Sequence, residues 1–183
     1  LSDGDPLIFT DPKQHQRHSY GGRTYLGEVA CQHAARDGLE LTIVRPFNAY
    51  GPRLVGDDYG QVVSMFVHQM RESKTLKIHG EGSQTRSFTW IDDVIDGFLK
   101  AGLRELPTGA VFNIGSEEEI SVLELAEKIA SYGDSATLNF VEGYNGDVNR
   151  RLPNIEKSLD LLDWQPSVCL DDGLQKMWQL LTS

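Results

Sequence analysis

No run of eighteen apolar residues occurs in this 183-residue chain, and no basic segment leads into an apolar one, so nothing reads as a membrane span or an export leader. Cysteine is scarce. Cys31 and Cys169 lie too far apart in sequence for a local disulfide or metal pair, and they read as reduced, small apolar residues of a cytoplasmic protein. The five histidines show no H-x-x-x-H or H-E-x-x-H spacing, so no metal site is expected, and His15, His18 and His33 are expected to face solvent. Lysine and arginine (17) are outnumbered by aspartate and glutamate (27), giving a net charge of −10. Nucleic acids and anionic membranes need clustered cations and are excluded as partners on that balance. There is no internal repeat and no low-complexity tract.

What is present is an alternation of helical and extended patterns, which predicts α/β architecture. Residues 1–19 are polar, without a period, and read as a loop. Good helix formers dominate from Tyr20 to Arg36, and Gly38 marks the stop. Glu40–Arg45 reads as a buried strand, and Gln61–Arg71 as a helix with one apolar face (Val62, Met65, Phe66, Met70). Leu76–His79 and Thr85–Thr89 read as short strands around a Gly80-Glu81-Gly82 turn. Asp92 or Asp93 is expected to cap a helix reaching Arg104. Ala110–Ile114 is the next strand. Ser121-Val122-Leu123-Glu124 is a capping box that opens a helix ending near Gly133. A strand at Ala136–Val141 and helices at Asn154–Leu162 and Asp172–Leu181 complete the series.

The most informative stretch is Arg45-Pro46-Phe47-Asn48-Ala49-Tyr50-Gly51-Pro52-Arg53, followed some thirty residues later by Thr85-Arg86-Ser87-Phe88. The apolar run Leu41–Val44 ends in Arg-Pro, and proline cannot donate to a sheet, so a strand stops there. A polar loop at a strand's carboxyl end is where open α/β sheets keep their ligands. In this order the two segments resemble the extended short-chain dehydrogenase/reductases that act on nucleotide sugars: NAD-dependent epimerases, dehydratases and UDP-glucuronate decarboxylases. The resemblance runs from about Asp5 to Leu181. It implies the carboxyl-terminal part of a Rossmann-like doubly wound sheet, together with a smaller α/β substrate-binding lobe. Residues 1–60 would be a remnant of the dinucleotide-binding domain, and 61–183 mainly the nucleotide-sugar lobe, with elements of the two interleaved.

Family members open with a strand–glycine-loop–helix unit that holds NAD. No G-x-G-x-x-G or G-x-x-G-x-x-G follows a strand here, so the chain reads as the carboxyl-terminal half and is not expected to bind NAD alone. The family's Tyr-x-x-x-Lys pair corresponds to Tyr20-Gly21-Gly22-Arg23-Thr24. Tyr20 is in register, as is Glu28, but Thr24 stands where the lysine should be. A cation one turn from a tyrosine favours the phenolate and makes it an acid/base near neutral pH. Threonine offers no charge. Arg23 lies on nearly the same face, but its planar fork differs from a compact ammonium. The competing reading of Tyr20 is an ordinary aromatic at a helix start. The third catalytic hydroxyl of the family has no counterpart, because Ser2 and Thr10 are too close to Tyr20. By resemblance Tyr20 and Pro46 also adjoin the cofactor.

The resemblance assigns substrate contacts to Asn48, Ser64, Met65, Lys77, His79, Arg86, Arg150 and Arg151. A diphosphate calls for cations and amide N–H groups, and a base for strand or loop edges. Asn48 would touch the diphosphate–sugar region or merely brace its loop. Arg86, in a largely apolar strand, would reach the diphosphate or pair with Asp92 or Asp93. Lys77 and His79 share one face of the strand beside the base, with Leu76 and Ile78 on the other. Gly146-Asp147-Val148-Asn149-Arg150-Arg151 resembles a Gly-Asp-x-x-Arg segment whose arginine pairs with phosphate, the alternative being a solvated loop. Tyr144 stands where some epimerases carry another arginine, which brings the pattern nearer the decarboxylase branch. Two functions follow: part of an enzyme working through a transient keto-sugar, or a sugar-nucleotide-binding protein without redox chemistry. The Tyr20–Arg36 helix, with more than one apolar stripe, implies a homodimer.

Overall fold

A computed structural model describes residues 18–54, 61–143 and 148–182. Among them run α1 (His18–Arg36), β1 (Thr42–Pro46), β2 (Ala49–Tyr50), α2 (Val62–Glu72), β3 (Thr75–His79), β4 (Thr85–Ser87), β5 (Thr89–Trp90) and α3 (Ile91–Leu103). They continue with β6 (Ala110–Ile114), β7 (Glu119–Ser121), α4 (Val122–Ala130), β8 (Thr137–Val141), β9 (Arg150–Arg151), α5 (Glu156–Leu162) and α6 (Leu170–Thr182). The expected helices and the longer strands are all present, with ends within about three residues of those read from sequence. The expectations for Ser2, Thr10, His15, Tyr144, Gly146 and Asp147 fall outside the described residues.

Parallel pairing dominates. β1 pairs with β6, β2 with β5 and β3 with β8, all parallel. β4 lies between β7, to which it is antiparallel, and β9, to which it is parallel. The chain is α/β with a Rossmann-like parallel core.

Local chemistry explains the ends. At the end of α1, Gly38 adopts φ +98°, a conformation costly for any residue with a Cβ. It lets the Leu39 N–H donate to the Ala34 carbonyl and the Gly38 N–H to that of Ala35, which is the Schellman closure. The Ser121–Glu124 capping box forms in both directions: the Glu124 N–H donates to Ser121 Oγ (3.1 Å) and the Ser121 N–H to Glu124 Oε2 (2.9 Å).

Four expectations need correction. Pro46 is the last residue of β1 rather than the one after it: it stands in register with Ile114, where its missing N–H breaks no ladder. Neither Asp92 nor Asp93 caps α3, because the helix begins one residue earlier, at Ile91, and Trp90 is its N-cap. Asp92 instead accepts from Trp90 Nε1 (2.9 Å), and the buried Asp93 accepts from Ser167 Oγ (2.6 Å) and the Val168 N–H (3.0 Å). The strand expected at Thr85–Thr89 breaks at Phe88, and its two halves join different sheets. Both cysteines are free and exposed rather than packed as small apolar residues.

Two cores result. The larger one packs α2 and α4 on β3 and α6 on β5, with Tyr50, Phe66, Leu76, Ile78, Leu125, Leu174 and Met177 buried. The smaller one holds Val94, Ala101, Phe112, Ile114, Ile155, Leu162 and Trp164, with Val44 packed against it. Each fully buried side chain of that size contributes roughly 1.5–3 kcal/mol relative to exposure. The segment β2–β5–α3 passes between the cores. Thr89 helps fix their junction, its hydroxyl donating to the Phe47 carbonyl (3.0 Å) and accepting from the Ser116 N–H (2.9 Å).

Candidate functional site

The three-stranded sheet β7-β4-β9 gathers the densest cluster of polar side chains singled out in the sequence. Its register places Arg86 of β4 against Ile120 of β7 on one side and Arg151 of β9 on the other. Partners in register share a face, and alternate residues take the opposite face. One face therefore carries Arg86, Ile120 and Arg151. The other carries Thr85, Ser87, Glu119, Ser121 and Arg150. The adjacent pair Arg150-Arg151 is thus divided between two faces.

On the second face Arg150 is taken up by a carboxylate. Its Nε and Nη2 each donate to one oxygen of Glu119, at 2.8 and 2.8 Å, and Thr85 Oγ1 donates to Glu119 Oε1 at 2.6 Å. The Arg150 guanidinium, and next the Thr85 hydroxyl, hold the Glu119 carboxyl at about 2, well below its ordinary value. A depressed carboxyl contributes stability that is present above its unfolded pKa and is lost as pH falls through the folded value. The pair's contribution is therefore full above about pH 4.5 and is lost progressively as pH falls towards about 2. The structure assigns Arg150 to an ion pair within the sheet. Sequence reading missed Glu119, whose only signal was the short alternation Glu119-Ile120-Ser121 ahead of the capping box.

On the first face Arg86 is buried and Arg151 half-buried. Arg86 Nη1 donates to the Thr85 carbonyl (2.7 Å) and the Asn149 carbonyl (3.5 Å). The two aspartates offered as its salt-bridge partners are engaged elsewhere: Asp92 with Trp90, Asp93 with Ser167 and Val168. Two guanidinium groups in register on neighbouring strands repel. Burying one of them adds a desolvation cost.

Asn48 lies beside this sheet at φ 39°, a left-handed conformation that asparagine tolerates. Its Nδ2 donates to the Ser87 carbonyl at 2.7 Å, while its own carbonyl accepts from the Thr89 N–H. Its amide donor thus braces the loop against β4. Ser64 is buried with its hydroxyl on the Gln61 carbonyl (2.8 Å), and Met65, next on α2, is half-buried. In β3, Lys77 is exposed and His79 half-buried, opposite the fully buried Leu76 and Ile78, as alternation requires. His79 Nδ1 lies 3.1 Å from the Glu142 carbonyl; a carbonyl only accepts, so that nitrogen carries the proton. Tyr50, two residues after Asn48 in β2, is no acid/base candidate: burial first, and the Glu118 charge second, push its phenol far above the ordinary range.

At the other end of the predicted site, Tyr20 is 68% exposed on the first turn of α1. Thr24 turns its hydroxyl back onto the helix, donating to the Tyr20 carbonyl at 2.9 Å. The Arg23 guanidinium lies over the Tyr20 ring, 5.7 Å from its centroid. Glu28 makes a two-pronged ion pair with Arg45, Nε to Oε2 at 2.9 Å, which ties α1 to β1 just before Pro46.

The fold is that of a Rossmann-like α/β protein, and comparison with known proteins identifies its family. The family described as NAD dependent epimerase/dehydratase matches residues 4–115, and the chain belongs to that family. UDP-glucuronic acid decarboxylase 1 of Arabidopsis thaliana is 36% identical over 93% of this chain and 42% of its own length. The UDP-glucuronic acid decarboxylase 1 of Danio rerio is 32% identical over 94% and 44%. Among solved structures, the UDP-glucuronic acid 4-epimerase of Bacillus cereus, in complex with UDP-glucuronic acid and NAD, superimposes with a TM-score of 0.85 at 33% identity. It covers all of this chain and 56% of that one. The chain spans about half the length of the curated relatives it matches.

Homologues of this family bind NAD, and the resemblance sets Tyr20 and the position of Thr24 beside that cofactor. The hydroxyl at Thr24 is spent on the helix backbone and supplies no cation beside Tyr20. Arg23 presents a flat fork over the ring face rather than an ammonium beside the phenol. Among the described residues no helix is long and apolar enough to cross a membrane, and no His/Cys/Asp/Glu cluster suits a metal ion.

Proposed function

We propose that this chain is the nucleotide-sugar-binding part of an NAD-dependent epimerase, dehydratase or decarboxylase that works through a transient keto-sugar. Residues 1–60 then belong to the dinucleotide lobe and 61–183 mainly to the sugar-nucleotide lobe. The observation that carries the reading is the register of β4 and β9, which sets Arg86 beside Arg151 on one face. Two in-register guanidiniums suit two linked phosphates, with charge-assisted, directional hydrogen bonds from each. Asn48, braced at the edge of β4, and Lys77 and His79, on the outward face of β3, are the proposed contacts for the rest of the ligand. This departs from the sequence expectation in that Arg150 is assigned to Glu119 and not to the ligand, and in that Ser64 and Met65 are given no contact with it.

Calorimetric titration with UDP-glucuronic acid tests the proposal. Arg86→Ala is expected to cost about 1.5–3 kcal/mol of binding, the range for a hydrogen bond to a charged group. Equal affinity in wild type and variant would reduce Arg86 to a structural residue.

A second reading, binding without redox chemistry, is favoured by the Thr24 hydroxyl seated on the Tyr20 carbonyl. On that reading a titration with NAD shows no micromolar binding by this chain, and Thr24→Lys alone restores none. We also propose that the chain forms a homodimer through α1.

A further inference from the structure

The geometry points to Glu119 as the positioning residue of the anion site: through Arg150 it holds β9 in register and so sets Arg151 against Arg86. This rests on the reading of Arg86 and Arg151 as the diphosphate-binding pair.

Strand β9 contains two residues, and its backbone is joined to β4 by the Thr85 N–H donating to the Asn149 carbonyl at 2.8 Å. So short a strand offers few ladder bonds to resist sliding. A slip of one residue would be decisive here, because side chains alternate with period two and a one-residue shift exchanges the faces. Arg150 would move to the face of Arg86, and Arg151 would leave it. The Glu119–Arg150 pair opposes that slip. In the sheet order β7-β4-β9 the two residues sit on the outer strands, so their ion pair crosses over β4. It is bidentate, with both donors of a rigid planar fork used, and Thr85 of the crossed strand donates to the same carboxylate. Three strands are thereby fastened on one face, which fixes the row Ile120, Arg86, Arg151 on the other. Arg150 is largely exposed, and exposed pairs contribute little to global stability. What the pair supplies is direction: it selects one of two registers that the backbone alone distinguishes poorly.

Two variants and two readouts test this. Glu119→Ala removes the carboxylate, and Glu119→Arg combined with Arg150→Glu restores the pair with its charges exchanged. Amide hydrogen exchange at Thr85 reports the β4–β9 bond without any ligand. Binding of UDP, compared with that of uridine, which lacks phosphate, reports the anion site. In Glu119→Ala the Thr85 amide is expected to exchange faster. UDP affinity should fall roughly tenfold, the scale of one charge-assisted contact, with uridine binding unchanged. The exchanged pair should restore both. Unchanged Thr85 exchange in Glu119→Ala overturns the inference whatever the ligand does. Tighter UDP binding in Glu119→Ala also overturns it, since Arg150 would then be a phosphate ligand masked by Glu119. A double variant that behaves like Glu119→Ala does the same. A wild-type chain that fails to bind UDP overturns the diphosphate reading, and with it the anion-site role, while Thr85 exchange still decides the register claim.

Discussion

Asn48 combines two demands that few residues meet together: a backbone at φ 39° and a side-chain donor aimed at the Ser87 carbonyl. Aspartate tolerates the same backbone and has nearly the same shape, but offers an acceptor where a donor is needed. Asn48→Asp is therefore expected to destabilise the protein by about 1–3 kcal/mol, the cost of leaving a partly buried carbonyl unsatisfied. Asn48→Gly keeps the backbone and removes the repulsion, so it should cost less. Urea unfolding of the two variants gives the comparison, and the opposite order would mean that the amide does not brace the loop. At this scale much of the site was legible: the motifs around Arg86, Asn48 and Thr24 single out residues that the fold gives definite partners. The role of Glu119 was not legible, because it depends on three strands meeting. No spacing along the chain places Glu119 beside Arg150. The division of Arg150 from Arg151 follows from strand alternation once β9 is known, but nothing in two residues announces a strand.

Element ends were read well wherever the chemistry is local. The Gly38 stop and the Ser121–Glu124 capping box depend on residues within five positions of each other, and both formed as expected. Strands β2, β7 and β9 escaped notice because two or three residues carry no period. The cap of α3 was misplaced because Asp92 and Asp93 both lie within its first turn, where a carboxylate still favours the helix dipole without capping it. The close approach of α3 to β6 makes a further prediction. A Cβ on Gly97 would come within 2.8 Å of Ile114 Cγ2 and 3.1 Å of Trp164 Nε1, both on fully buried side chains. Alanine gains up to about 1 kcal/mol of helix propensity over glycine. Overpacking a well-filled core costs about 1–3 kcal/mol. The overlap wins because neither neighbour has free space to move into. Gly97→Ala is expected to lower the thermal midpoint, whereas Gly102→Ala, on the same helix with nothing near its Cβ, should raise it or leave it unchanged.

For the whole molecule, the least buried long element is α1. Of its residues 20–36 only Ala35 is buried, while Tyr20, Tyr25 and Leu26 are 68%, 45% and 66% exposed. Among its ties to the rest of the chain are the Glu28–Arg45 pair and a hydrogen bond from Gln32 Nε2 to the Gly109 carbonyl (2.8 Å). The cover that this nineteen-residue helix lacks is what the proposed homodimer through α1 would supply. Light scattering at tens of micromolar is therefore expected to give twice the monomer mass, and Val29→Glu with Ala30→Glu to return it to the monomer. A monomer in the wild type would overturn this, and a dimer that survives both charges would place the interface elsewhere. The interleaving of the two cores also bears on how the chain reaches this state. Thr42 pairs with Ala110, Thr75 with Thr137 and Thr85 with Arg150, so these three parallel pairings join residues more than sixty positions apart. Each such closure loses chain entropy before any contact repays it, and topologies dominated by distant pairs fold slowly. Among the described strands, β1 and β3 meet their partners only once β6 and β8 have been synthesised, so that pairing completes late.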